Sequence, residues 1–271
     1  MLGFGHLCIM VGYDSESFVL ESVIHSIHER SPDVISKYAG YYGQAVMYII
    51  YMIGCLFSPS ILNEIGSKPI LICSALCFAA FPLGFFFTNT YYYYFSQMLL
   101  GLGYALYYQG HGGYLTSHSS RKTIETNINI AWSVGCCCLL LSSGILASVT
   151  SMTAVSQNGE ERQFSDTEMY PFIFALGLLI GIGDCCLNSC RSVICALAMP
   201  DRRAQAFSIS KLYQALGSCI LFFASPIIPL PVYTIGISIH CLVATFFFFK
   251  IARKTQSMER KMTISEEEEQ K

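Results

Sequence analysis

The chain has 271 residues, 53% of them hydrophobic and 13% charged, and its mean hydropathy is +0.49. A soluble globular domain carries about 25% charged residues, so the composition excludes an ordinary soluble enzyme or binding module. The formal charge of −2 says little about partners, and no basic stripe points to nucleic acid, so none is expected.

The chain opens on LGFGHLCIMVGY, with no basic flank and no small-residue cleavage site, a poor match to a signal peptide. This apolar start is too short to span alone, but Phe18, Val19, Val23, Ile24 and Ile27 continue at three-to-four spacing. The spacing predicts one helix over 2–29, amphipathic in its second half. Seven apolar blocks follow, at 40–62, 69–88, 91–116, 129–149, 170–199, 205–228 and 231–249. Each is near the roughly 20 residues that a helix needs to cross a bilayer core, and most lack the polar stripe of a soluble core helix. The fold class is therefore all-α: a polytopic membrane helical bundle with about eight transmembrane helices.

Two stretches are too polar for membrane. The loop 150–169 (TSMTAVSQNGEERQFSDTEM) is predicted to be flexible. The tail 252–271 passes from basic (ARKTQSMERK) to acidic (SEEEEQ), so its first half is expected near anionic lipid and its second half in water. The domain plan is an N-terminal bundle of five helices at 1–149, an extracytoplasmic loop at 150–169, a partial C-terminal bundle of three helices at 170–251, and a cytoplasmic tail at 252–271.

The connections alternate in charge. Lys68, Arg121 with Lys122, Arg202 with Arg203, and Lys250, Arg253 and Lys254 lie in every second connection, while TNT at 88–90, the 150–169 loop and IPLP at 228–231 form the other set. Basic connections stay inside, which puts both termini in the cytoplasm of a plasma-membrane or endomembrane protein. Tyr91–Tyr94 then start a helix on the outer side, where tyrosines form an interfacial belt. Gly101, Gly103, Gly110, Gly112 and Gly113 suit close helix approach.

The polar residues inside the apolar blocks are the site candidates. A charge at the centre of a span costs roughly 2.5–3.5 kcal/mol on insertion scales, so it is kept where it pairs or faces a cavity. Asp14 is the deepest of the first helix's carboxylates, ahead of Glu16 and Glu21. Asp184, Asn188 and Arg191 share a stripe at i, i+4 and i+7, and Lys211 and Gln214 form an i, i+3 pair on the next helix. An Asp184–Lys211 ion pair across the two helices is expected, as a helix clamp or as the wall of a polar pathway. Arg191 is expected to snorkel to the interface. His111 is expected to be neutral and held by one hydrogen bond, with a proton relay as the other reading.

The thirteen cysteines lie mostly inside the apolar blocks, as in CCC at 136–138, and suit packing better than disulfides or metal. No metal-ligand, nucleophile-elbow or phosphate-loop motif occurs, so neither an enzyme nor a cofactor is expected.

Several stretches carry a resemblance. LGFGHLCIMVGYDSESFVLESVI resembles the first helix of the UNC-ninety-three-like proteins, a branch of the major facilitator superfamily. GLGYALYYQGHGGYLTSHS is similar to that family's fourth helix, with His111 where the family usually has Gln and Tyr108 where it usually has Trp. LGLLIGIGDCCLNSC and AFSISKLYQALGS resemble its tenth and eleventh helices, with Asp184, Asn188, Lys211 and Gln214 on the patterns G-x-G-D-x-x-x-N and A-F-x-x-x-K-x-x-Q. NEIGSKP resembles a degenerate form of the superfamily's cytoplasmic motif through Gly66 and Lys68.

The resemblance implies a partial major-facilitator-type fold that lacks helices six to nine. Removing four helices preserves orientation, in accord with the basic-inside sorting. It also implies a non-enzymatic role: regulation of an ion channel or receptor by helix contacts, with membrane lipids and a potassium channel or another membrane protein as partners. Two other readings stand beside it. One is a proton- or cation-coupled transporter using Asp14, His111, Asp184 and Lys211; the other is a truncated isoform with little activity.

Overall fold

The computed structural model describes residues 1–83, 89–156 and 166–269. Helices α1 (Leu2–Ser17), α2 (Leu20–Arg30), α3 (Ala39–Ile65), α4 (Ser67–Leu83) and α5 (Thr90–Ser117) come first, followed by α6 (Ile124–Gly135) and α7 (Cys137–Ser156). Then come α8 (Asp166–Ala198), a 3₁₀ turn at Pro200–Arg202, α9 (Arg203–Ala224) and α10 (Leu230–Glu269). No strand occurs among the described residues.

The centre is α5, packed between α3 and α4. Its glycines explain how it fits. A Cβ on Gly101 would collide with the Met47 carbonyl of α3, and one on Gly103 would stand 2.8 Å from Cys77 Cβ of α4. Two residues rotate a helix by ~200°, so these glycines open nearly opposite faces to two neighbours. Around this core, α3 also carries α9, α1 packs on α6 and α7, and α8 packs on α7 and α6. Buried Met10, Leu20, Met47, Phe78, Leu100 and Tyr107 join the first five helices, and Ile128, Trp132 and Ala196 join α6 to α8. At the α3–α4 corner Gly66 takes φ +79° and ψ 173°, a region open essentially only to glycine.

Five stretches among the described residues are long and apolar enough to cross a membrane: Ala39–Ile65, Ile124–Ser148, Gly177–Ala198, Arg203–Ala224 and Pro231–Met258. The chain is an integral, multi-pass membrane protein. The other three predicted spans differ for identifiable reasons. α4 is apolar but only 17 residues long. α5 has 28 residues but is rich in Tyr and Gly, which a helix enclosed by others tolerates because it meets little lipid.

The helix predicted over 2–29 is broken at Phe18–Val19. There the Val19 amide bonds the Glu16 carbonyl at 3.2 Å, three residues back rather than four, so the ladder tightens to a 3₁₀-type turn before α2 begins. The block at 129–149 begins earlier, at Ile124, and is interrupted at Cys136 between α6 and α7.

The predicted 150–169 loop is shorter than expected, since α7 runs to Ser156 and α8 begins at Asp166; its middle, 157–165, lies outside the described residues, as do 84–88. The tail is helical as a continuation of α10 to Glu269; its Arg, Lys, Met and Glu are all good helix formers.

Candidate functional site

The polar residues of α8 and α9 meet α5 and α6 in one cluster. Asn188 and Lys211 are both 5% exposed. The Lys211 ammonium donates to Gln214 Oε1 at 3.0 Å and to Asn188 Oδ1 at 3.4 Å, and lies 3.4 Å from the Tyr108 ring centroid. Arg191 donates to the same two amide oxygens. The i, i+4, i+7 stripe of α8 and the i, i+3 pair of α9 thus face each other.

The expected Asp184–Lys211 ion pair does not form. Asn188 stands between them, giving its Nδ2 to Asp184 Oδ1 at 2.7 Å and its Oδ1 to Lys211. An amide can donate one way and accept the other, which links two opposite charges that do not touch. The Arg191 guanidinium, expected to reach for the interface, is held by Gln214 and Asn188. Asp184 is exposed on α8, where the Cys136 thiol also reaches it, at 3.5 Å.

Asp14 is not part of this cluster. It lies on α1 against the Cys138 thiol. The 136–138 tract therefore holds two carboxylates of different helices, Asp184 through Cys136 and Asp14 through Cys138. Thiols are weak donors small enough for such gaps.

His111 is 2% exposed, and its Nε2 has no hydrogen-bond partner among the described residues. Aromatic rings surround the imidazole. The centroids of Trp132, His6 and Tyr107 lie 5.3, 5.7 and 5.7 Å away. Gln109 points elsewhere, as its two-residue offset requires: it donates to the Ala204 carbonyl at 3.2 Å and accepts from Ser208 Oγ at 3.0 Å, and Ser208 reaches Ser58 at 3.2 Å. This latch ties α3, α5 and α9 together.

Sequence reasoning missed four members. His6 is 4% exposed and hydrogen-bonds Tyr107 at 2.8 Å. Trp132 donates to Ser192 Oγ at 3.1 Å and stacks on Tyr108 with centroids 6.1 Å apart. Trp132 is the only tryptophan in the chain, a signal that was available. For His6, Ser192 and Ser208 no sequence pattern pointed inward.

A profile of the family described as "Ion channel regulatory protein UNC-93" matches residues 31–175 and 154–249. The chain is similar to UNC93-like protein MFSD11 of Xenopus tropicalis, 26% identical over 134 residues, which cover 49% of this chain and 29% of that protein. Protein unc-93 homolog A of Bos taurus is 26% identical over 126 residues, covering 45% of this chain and 26% of the relative. The matched stretch thus spans less than a third of the length of either relative. No solved structure matches. With the profile covering well over half of its residues, the chain belongs to the UNC-93 family.

Proposed function

We propose that the chain is a non-enzymatic regulatory subunit that binds another membrane protein, an ion channel such as a potassium channel or a receptor, through the outer faces of α8 and α10. The observation that carries this reading is the exposure of α10. Over Pro231–Met258 none of its most apolar window is buried, and Ile235, Leu242 and Phe246 are 62%, 73% and 58% exposed. Asp184 is exposed on α8, the helix that α10 packs against. A carboxylate facing bare lipid is unfavourable, so a polar or helical neighbour suits this face better. The family description supports the same role.

The test is co-purification of a tagged chain with candidate channels in mild detergent, together with current recordings with and without the chain. A chain that purifies alone and leaves every tested current unchanged rejects the reading.

In this reading both termini are cytoplasmic, with Lys68, Arg121, Lys122, Arg202 and Arg203 on the inner side. Asp184, Asn188, Arg191, Lys211 and Gln214 form the polar seam that sets how α8 and α9 fit together, with His111 beside it and Asp14 outside it. One observation favours transport as a second reading: a buried lysine and its amide partners lie between helices, where transporters of this superfamily are expected to bind substrate. Cation-coupled flux that Asp184→Asn abolishes would establish it, and flux unchanged in that variant would remove it.

A further inference from the structure

Arg191 and Lys211 leave an electrostatic problem unsolved. Both bond Gln214 Oε1 and Asn188 Oδ1. Two cations that share the same acceptors repel each other, and in a bundle of low dielectric the repulsion is large. Amide dipoles do not cancel it. Among the described residues no carboxylate lies within 4.0 Å of either cation, since the ion pair found there is His25–Glu29 at 3.5 Å. Asp184 precedes Arg191 by two turns of α8, about 10 Å along the axis, and its oxygens are taken by Asn188 and Cys136.

A cavity of about 10 Å³ adjoins both cations, and Tyr108, His111, Trp132, Arg191, Ser192 and Lys211 are among its walls. No acidic residue lines it. It has room for one body the size of a water molecule. Neutral donors complete the wall. Ser192 accepts from Trp132 Nε1, which leaves its own hydroxyl proton to donate. His111 Nε2 is buried without a partner and donates in the tautomer that carries its proton there.

We propose that this cavity binds a single halide ion, chloride under ordinary conditions, between Arg191 and Lys211, with Ser192 and His111 as neutral donors. One anion there turns the repulsion between the two cations into two attractions. The size of the cavity selects the class: a carboxylate, a phosphate or a lipid headgroup does not fit where one water does. The inference does not depend on any partner protein or transported solute.

Trp132 provides the readout. It is the single tryptophan of the chain, is 3% exposed, and lines the cavity. Bromide and iodide quench indole emission on contact. The full chain in detergent is titrated with bromide replacing gluconate at constant ionic strength. The expected result is a saturable loss of Trp132 emission that chloride reverses and that Arg191→Gln and Lys211→Met each remove. Arg191 is only partly buried, so Arg191→Gln carries the test if the lysine variant does not fold. Quenching that stays linear without saturation, that chloride does not reverse, or that remains saturable in Arg191→Gln overturns the proposal.

Discussion

The Lys211 ammonium stands 3.4 Å from the centroid of the Tyr108 ring, with α9 supplying the cation and α5 the ring. Trp132, whose ring centroid is 5.9 Å from the same ammonium, stacks on Tyr108 from α6. A desolvated contact of this kind contributes about 2 kcal/mol. Tyr108→Leu is expected to lower the unfolding free energy by about that amount. Tyr108→Trp, the residue usual in the resembling family, keeps or strengthens the contact, because tryptophan has the strongest ring field. Thermal unfolding of the purified variants decides between these outcomes. Equal losses in both would mean that packing, not the cation, matters at this position.

Asn188 is the hinge of the charge network. Replacing it with Leu keeps its approximate size but leaves Asp184, Arg191 and Lys211 each short of a bond. A loss of about 1–3 kcal/mol is expected, the usual penalty for a buried polar group left unpaired. Adding Lys211→Met to Asn188→Leu should recover part of it, since the stranded ammonium is then gone. A double-mutant cycle on thermal unfolding measures the coupling, and strictly additive effects would show that the two residues do not interact.

Helix approach at α5 has a direct test in two glycines. Gly101→Ala places a methyl against the Met47 carbonyl, so α3 must shift, at about 1–3 kcal/mol. Gly144 lies in α7 with open space where its Cβ would stand. Gly144→Ala is therefore expected to be neutral or to stabilise the helix by about 0.5–1 kcal/mol. If the two substitutions shift the melting temperature alike, the close α3–α5 contact is not limiting.

The Gln109–Ser208 latch predicts coupling between helices far apart in sequence. Ser208→Ala removes the donor to Gln109 Oε1 and the partner of Ser58 Oγ. Gln109→Leu removes the other side. The interaction energy in a double-mutant cycle should fall within about 0.5–3 kcal/mol. A value near zero would mean that these bonds are exchanged for others in the folded protein.

The membrane class was legible from composition and block length alone, because lipid solvates a chain through its average hydropathy over about 20 residues. The stripe of Asp184, Asn188 and Arg191 and the pair of Lys211 and Gln214 were legible too, since helical geometry puts such spacings on one face whatever the tertiary structure. Family membership likewise showed in local motifs.

What the tertiary structure decided is how those faces meet. Whether Asp184 touches Lys211 depends on the approach of α8 to α9, and there the Asn188 amide intervenes. The turn at Phe18–Val19 and the step at Cys136 interrupt helices whose own apolar periodicity runs on. His111 is enclosed in part by side chains carried in from α1 and α6, His6 and Trp132, which are 105 and 21 residues distant along the chain. Local rules act over one or two helical turns; a polar cluster with several helices around it is a property of their packing.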